Sequence, residues 1–217
     1  KIMMDNIFPK IHKEGYKFLA ISIIFTLAVL LFSNFFGIIF ILITIWVYYF
    51  FRDPDRISIN DDNYLVSPAD GLITQISEEV GPADLNLENN TYTRISIFMN
   101  VFNCHVNRTP VSGKIQEIFY KPGKFLNASL DKASEENERN YYKLTTSKGE
   151  EIIIVQIAGL IARRIVCEVN KDQSLKQGER IGMIRFGSRV DTFFKNKKVL
   201  AKIGQNVIAG ESLIASE

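Results

Sequence analysis

A chain of 217 residues with 26 basic and 24 acidic side chains has a formal net charge of +2, so it carries no global field of the kind nucleic acid requires, and no nucleic-acid partner is expected. Two cysteines, Cys104 and Cys167, make neither a disulfide framework nor a zinc site, and a reducing compartment is the simplest setting. The length allows one domain with a real core plus an appendage.

The appendage comes first. From Phe18 to Phe51 the sequence carries no charge. A single helix of that length would measure about 50 Å, well over a hydrocarbon core of roughly 30 Å. Ser33-Asn34 and Gly37 interrupt the stretch near its middle. Two short helices forming a membrane hairpin are therefore predicted, each near or slightly under the usual minimum of ~17 residues. The stretch is too long for a cleaved signal peptide, and no small-residue cleavage site follows it. Lys10, His12, Lys13 and Lys17 precede it, and Arg52 and Arg56 follow it. Basic flanks on both sides place both ends on the cytoplasmic face of the cell (inner) membrane, with Trp46, Tyr48 and Tyr49 at the level of an aromatic belt. Arg52 and Arg56 either set this topology or meet lipid phosphates. The expected division is residues 1–56 for the hairpin and its flanks and 57–217 for a catalytic domain.

Beyond residue 57 the pattern becomes short β-branched runs of strand length: Leu72–Ile76, Arg94–Phe98, Glu151–Ile157, Ile165–Val169 and Ile181–Ile184. Turn signals separate them, at Pro68-Ala69-Asp70-Gly71, Val80-Gly81-Pro82, Lys121-Pro122-Gly123 and Lys148-Gly149. The polar segment from Asn127 to Asn140 is either helix or mobile loop. The predicted fold class is mainly β (α+β): a compact barrel- or sandwich-like domain with few helices, in which Val66–Gly71 and Gly204–Glu211 form matching hairpin corners.

Few residues in this domain carry chemistry. His105 is its only histidine. A lone histidine is most often structural, yet Asn103, Asn107 and Arg108 beside it are unusual in a core. A catalytic His105 would carry protons. Asp70 lies in Pro-Ala-Asp-Gly, first of all a tight turn; its functional reading is a carboxylate that orients an imidazole. Ser188 follows Gly187, again a common turn. The functional reading there is attack by the serine hydroxyl on the carbonyl of its own preceding residue. Glycine at 187 removes the β-carbon that would crowd the attack and permits strained dihedrals. The resulting ester eliminates to leave a dehydroalanine, which hydrolyses to a pyruvoyl group at a new N-terminus.

Five segments, in order, resemble the phosphatidylserine decarboxylase proenzyme family in its shorter form. They are Phe51-Arg52-Asp53-Pro54-Asp55-Arg56, Ser67-Pro68-Ala69-Asp70-Gly71, Phe98 to Arg108, Gln156-Ile157-Ala158-Gly159 with Ala162-Arg163-Arg164-Ile165, and Gly178 to Arg189. The resemblance covers roughly residues 45 to 195. It implies self-cleavage between Gly187 and Ser188 into a β chain (1–187) and an α chain (188–217) that stay together. It also implies a covalent pyruvoyl cofactor made from Ser188. The substrate would be phosphatidylserine in the membrane, its amine forming a Schiff base with the pyruvoyl carbonyl, and the products phosphatidylethanolamine and carbon dioxide. On this resemblance His105 is the proton donor or acceptor of decarboxylation and Asp70 assists self-cleavage. A homo-oligomer is a further possible partner state.

The chain departs from the longer form of the family, which carries a second histidine three residues after the first, linked to self-cleavage. Arg108 stands at that position here. Either His105 serves both steps, or Arg108 stabilises the oxyanion while another group takes the proton. The longer form also has threonine after the serine, where this chain has Arg189. Arg108, Arg163, Arg164 and Arg189 are candidates for the lipid phosphate or carboxylate, with surface solvation as the level alternative. Two other functions stay open: a pyruvoyl decarboxylase of a soluble amino acid, and a non-enzymatic carrier domain of lipoyl or biotinyl type. No metal ligand set is expected.

Overall fold

The computed structural model describes residues 9–126, 136–160 and 164–217. The chain divides into two compact units, Lys1–Asp55 and Arg56–Glu217.

The first unit is helical, with α1 spanning Gly15–Leu30 and α2 Asn34–Phe50. Ser33 ends the connection by accepting a hydrogen bond from the Phe36 amide, which caps α2. The helices pack closely because Gly37 has no side chain: a Cβ there would come within 2.2 Å of Leu30 Cδ2. The hydroxyl of Thr26 donates to the Ser22 carbonyl at 2.7 Å and lies 2.8 Å from the Thr44 hydroxyl, tying the two helices together. Such a bond contributes about 1 kcal/mol in apolar surroundings. The outward faces are apolar almost throughout, and the tip is the most exposed part, with Leu31 at 84% and Phe32 at 89%. The two helices have 16 and 17 residues, about 24–25 Å each. Among the described residues no helix is long and apolar enough to cross a membrane. The hairpin expected from the sequence is thus present as a pair of helices, but neither reaches spanning length.

The second unit is mainly β. Its strands are β1 (Tyr64–Val66), β2 (Gly71–Val80), β3 (Thr91–Met99), β4 (Val106–Arg108), β5 (Gly113–Lys121), β6 (Arg139–Thr145) and β7 (Glu151–Ala158). They continue as β8 (Arg164–Cys167), β9 (Ser174–Leu175), β10 (Arg180–Arg185), β11 (Ser188–Phe194), β12 (Lys198–Val199), β13 (Asn206–Val207) and β14 (Leu213–Ser216). The main sheet has eight strands in the order β13-β2-β3-β11-β7-β6-β5-β9, flanked by two three-stranded sheets, β1-β14-β12 and β4-β10-β8. It curls as a half-barrel, and among the described residues no pairing joins β13 to β9 to close it into a barrel. Arg139 and Asn140 begin a strand, which corrects the helix-or-loop reading for that end of the polar segment; residues 127–135 lie outside the described residues.

The two corners singled out in the sequence do meet. Val207 pairs with Gly71, the Gly210 amide donates to the Ser67 carbonyl, and the Ser67 amide donates to the Ser212 carbonyl. Strand alternation then assigns the faces of β11. Ser188, Val190 and Phe194 point into the large core with Ile97, Met99, Ile154 and Ala158. Arg189, Asp191 and Phe193 point to the other face, where Phe193 packs with Tyr141, Ile153, Val155 and Ile157. Every residue of β11 is buried. The register also brings several strand ends to one line: β3 ends at Met99 and β7 at Ala158, both opposite Ser188, which begins β11.

Candidate active site

Ser188 is fully buried, and its hydroxyl has no hydrogen-bond partner among the described residues. An unsatisfied buried hydroxyl costs about 1–3 kcal/mol, so a site that keeps one calls for a reason. The residue before it, Gly187, has φ +55°, and nothing lies within 4 Å of where its Cβ would be. Backbone conformation rather than crowding therefore selects glycine there.

His105 is also fully buried, and its backbone carbonyl accepts from the amide of Ile184, four residues before Ser188. Its Nδ1 lies 3.0 Å from the Asn103 carbonyl oxygen. A carbonyl only accepts, so Nδ1 carries the hydrogen, and in the neutral ring Nε2 is the basic nitrogen. Asn103 was not singled out for this role in the sequence; a backbone carbonyl has no residue-type signal.

A buried polar chain runs up to the cross-strand neighbour of Ser188. Tyr142 Oη donates to Gln156 Oε1 at 2.7 Å, Gln156 Nε2 donates to Asn107 Oδ1 at 2.8 Å, and Asn107 Nδ2 reaches Met99 Sδ at 3.5 Å. Burial pushes the Tyr142 phenol well above its ordinary range, so it acts as a neutral donor. Met99 is the cross-strand neighbour of Ser188. This chain anchors β3, β4, β6 and β7 around the start of β11. Gln156 and Asn107 stood in recognisable segments, but their connection is a tertiary fact.

Asp70 does not orient an imidazole. One carboxylate oxygen accepts from Arg56 Nη2 at 2.9 Å and the other from the Ala209 amide at 2.8 Å. Arg108 is buried beside the same corner, donating to the Gly178 carbonyl at 2.8 Å. Asp70, Arg56 and Arg108 are thus together, while Ser188 stands across β2 and β3. Two strand spacings put that separation at roughly 10 Å.

Of the remaining arginines, Arg164 is exposed and lies directly opposite Arg185 across β8 and β10, two residues before Gly187. Arg185 was not among the sequence candidates. Arg163 lies outside the described residues. Arg189 is only 2% exposed, is held by both oxygens of Asp191 at 2.8 and 2.9 Å, and sits on the opposite sheet face from Ser188. It is neither a solvated surface residue nor aimed at the Ser188 side.

That second face holds a cavity of about 410 Å³ lined by Asp84, Arg94, Lys121, Arg139, Tyr141 and Asp191 among others. Its charges pair with one another: Lys121 and Tyr141 both bond Asp84 at 2.6 Å, and Arg94 bonds Glu79 at 2.7 Å. Burial alone would raise the Asp84 carboxyl, but the bonds from Lys121 and Tyr141 and the charge of Arg139 outweigh it and hold Asp84 below the usual carboxylate range. Burial and the Asp84 bond push Tyr141 well up. A depressed carboxyl stabilises the fold above its unfolded value near 3.9, and that contribution is lost as pH falls through the folded value. Asp84→Asn is therefore expected to lower stability by about 1–3 kcal/mol at neutral pH, with the gap to the parent closing below about pH 4 in denaturant titrations. Among the described residues no group of acidic, histidine or cysteine side chains could hold a metal.

The sequence profile of phosphatidylserine decarboxylase matches residues 43–215. The chain is 68% identical over 215 residues to the phosphatidylserine decarboxylase proenzyme of Pelagibacter ubique, covering 99% of this chain and 100% of that one. It is 47% identical over 214 residues to the proenzyme of the same name from Ruegeria pomeroyi, covering 98% of each chain. With the one from Rickettsia typhi it shares 49% identity over 212 residues, 97% of this chain and 92% of the other. Matches of this length and identity, laid over a strand end where a buried serine follows a left-handed glycine, show that the chain belongs to the phosphatidylserine decarboxylase family.

Proposed function

We propose that this chain is a self-cleaving precursor of a phosphatidylserine decarboxylase. The observation that carries the reading is the Ser188 hydroxyl, buried and without a partner among the described residues, after a glycine in the left-handed region. Such a hydroxyl is poised to react rather than to hold structure.

The chain's own residues supply the self-cleavage. Ser188 Oγ attacks the Gly187 carbonyl carbon and gives up its proton. The Gly187–Ser188 C–N bond breaks as the ester C–O bond forms, and the freed amine takes a proton. Loss of the Ser188 α-proton then expels the Gly187 carboxylate. Water replaces nitrogen on the remaining dehydroalanine, ammonia leaves, and the α chain begins with a pyruvoyl group. His105, the one histidine of this unit, is assigned the proton transfers, its Nε2 made basic by the Asn103 carbonyl. The site fits that cofactor, since the residue that would become it already lies in a buried position at the start of β11, between Met99 and Ala158. A pyruvoyl group supplies an electron sink for the carbanion left when the serine headgroup loses carbon dioxide. Arg164 and Arg185, cross-strand neighbours just before the Gly187–Ser188 bond, are assigned the negative groups of the headgroup. Asp70 acts through its bonds to Arg56 and Ala209, holding the corner that starts β2.

Intact mass measurement tests the proposal. Two fragments separated before Ser188, with the smaller lacking the mass of an amino-terminal serine, together with carbon dioxide release from phosphatidylserine vesicles, support it. A single stable chain overturns it.

The hairpin is assigned to the cytoplasmic leaflet of the inner membrane. Its uncharged sequence and outward apolar side chains support that place, and helices of about 24–25 Å fall short of the ~30 Å core. Phe32→Lys with Phe35→Lys puts two charges at the exposed tip. A charge deep in a bilayer costs about 2.5–3.5 kcal/mol, so vesicle flotation should drop at least roughly a hundredfold. Unchanged flotation would place the tip outside the hydrocarbon.

A further inference from the structure

We infer that Phe186 is a positioning residue for self-cleavage, because its left-handed backbone loads strain beside the Gly187–Ser188 bond that scission releases. The inference rests on the self-cleaving reading given above.

Phe186 has φ +66° and Gly187 φ +55°, so two successive residues are left-handed at the corner between β10 and β11. Glycine occupies that region without penalty because it has no Cβ. Phenylalanine does not, since its Cβ crowds a carbonyl oxygen. The other described non-glycine residues with positive φ are Asn60, Asn86, Asp172 and Asn196. All four are Asn or Asp, the types that tolerate this conformation through their short polar side chains. Phe186 is the exception, and it stands one residue before the bond assigned to break.

The surrounding strands explain why the corner cannot relax. β10 and β11 do not pair with each other. Arg185 is held opposite Arg164 in the small sheet, and Ser188 is held between Met99 and Ala158 in the large one. Only residues 186 and 187 are left to carry the chain from one sheet to the other. A pair of left-handed residues makes the bend, and glycine can absorb only its own half. Scission after Gly187 frees residue 186 from the constraint while Ser188 keeps its ladder. Strain present in the precursor and released as the Gly187 carbonyl carbon leaves planarity speeds the attack.

The test compares Phe186→Asn, Phe186→Gly and Phe186→Ala in freshly synthesised precursor, following conversion to two fragments by intact mass. Alanine keeps the Cβ and so keeps the strain, whereas asparagine and glycine relieve it. The left-handed penalty of a Cβ-bearing residue corresponds to a rate factor of roughly tenfold. Conversion of the Asn and Gly variants is expected to be about tenfold slower than that of the Ala variant, which should stay near the wild-type rate. A second measurement guards against misfolding. In uncleavable Ser188→Ala precursor, adding Phe186→Asn should raise the melting temperature relative to adding Phe186→Ala. Slower cleavage with higher stability is the signature of relieved strain; a merely structural role would lower both. Equal cleavage rates for the Asn and Ala variants, or a lower melting temperature for Asn, overturn the inference while wild-type cleavage still upholds the self-cleaving reading. Wild-type precursor that stays one chain overturns both.

Discussion

Ser188→Ala is expected to leave the chain in one piece and to abolish carbon dioxide release from phosphatidylserine altogether. The hydroxyl is the only atom of the residue that can attack the preceding carbonyl, and its removal leaves neither ester nor new terminus. Loss of fold is not the expected cause. Ser188 Oγ makes no hydrogen bond to lose among the described residues, and deleting an unpartnered buried hydroxyl removes a desolvation cost of about 1–3 kcal/mol. The uncleaved variant should therefore melt at or above the temperature of a freshly made precursor, checked by calorimetry on the same preparation as the mass measurement. Ser188→Thr sharpens the test. It keeps the hydroxyl but adds a methyl in a fully buried position between Met99 and Ala158, so cleavage should slow, and the new terminal group should be one methylene heavier. A Ser188→Ala protein that still divides would exclude this serine as the nucleophile.

The second large effect is expected at His105. Replacing it by glutamine keeps a donor able to reach the Asn103 carbonyl but removes the ring nitrogen that accepts a proton. Positioned proton transfer contributes roughly 10²–10⁴-fold, and kcat should fall by that range with little change in KM, since the headgroup's negative groups are assigned to arginines. Following chain scission and carbon dioxide release separately assigns the base that Arg108 leaves in question. If His105 serves both steps, both rates fall together. If scission continues while decarboxylation fails, another group takes the Ser188 proton. Arg108 is not that group, because a guanidinium does not give up its proton in a protein; the oxyanion role read for it from the sequence meets a guanidinium that is buried and bonded to the Gly178 carbonyl beside the Asp70 corner. Neither rate changing would remove His105 from the chemistry.

These expectations draw on different levels of the molecule. The two short apolar helices, the turn at Pro68–Gly71 and the strands around Ile95, Ile154 and Ile184 were legible because each is a local pattern of one residue type with a period or a stop signal. Strand β11 was not. Its sequence, Ser-Arg-Val-Asp-Thr-Phe-Phe, places polar residues at buried positions on both faces, and a strand buried on both sides shows no alternation to read. The arginine calls divided along the same line. Arg189 was read from the sequence as either a headgroup ligand or a solvated surface cation, yet Asp191 two residues on shares its sheet face and neutralises it inside.

The sequence by itself therefore determined the family, the ordered segments that mark it, the identity of the one histidine and the Gly-Ser pair, and the uncharged hairpin, since all of these are properties of residue type and spacing. Only the tertiary structure decided which partner each group has. It gave Asp70 to Arg56 and Ala209 rather than to an imidazole, linked Gln156 to Asn107 and Tyr142, faced Arg164 with Arg185, and left Ser188 buried without a partner after two left-handed residues. The physical reason is that a hydrogen bond or an ion pair depends on sheet register and strand order, which join residues tens of positions apart, and a local stretch of sequence carries no record of its neighbour across the ladder.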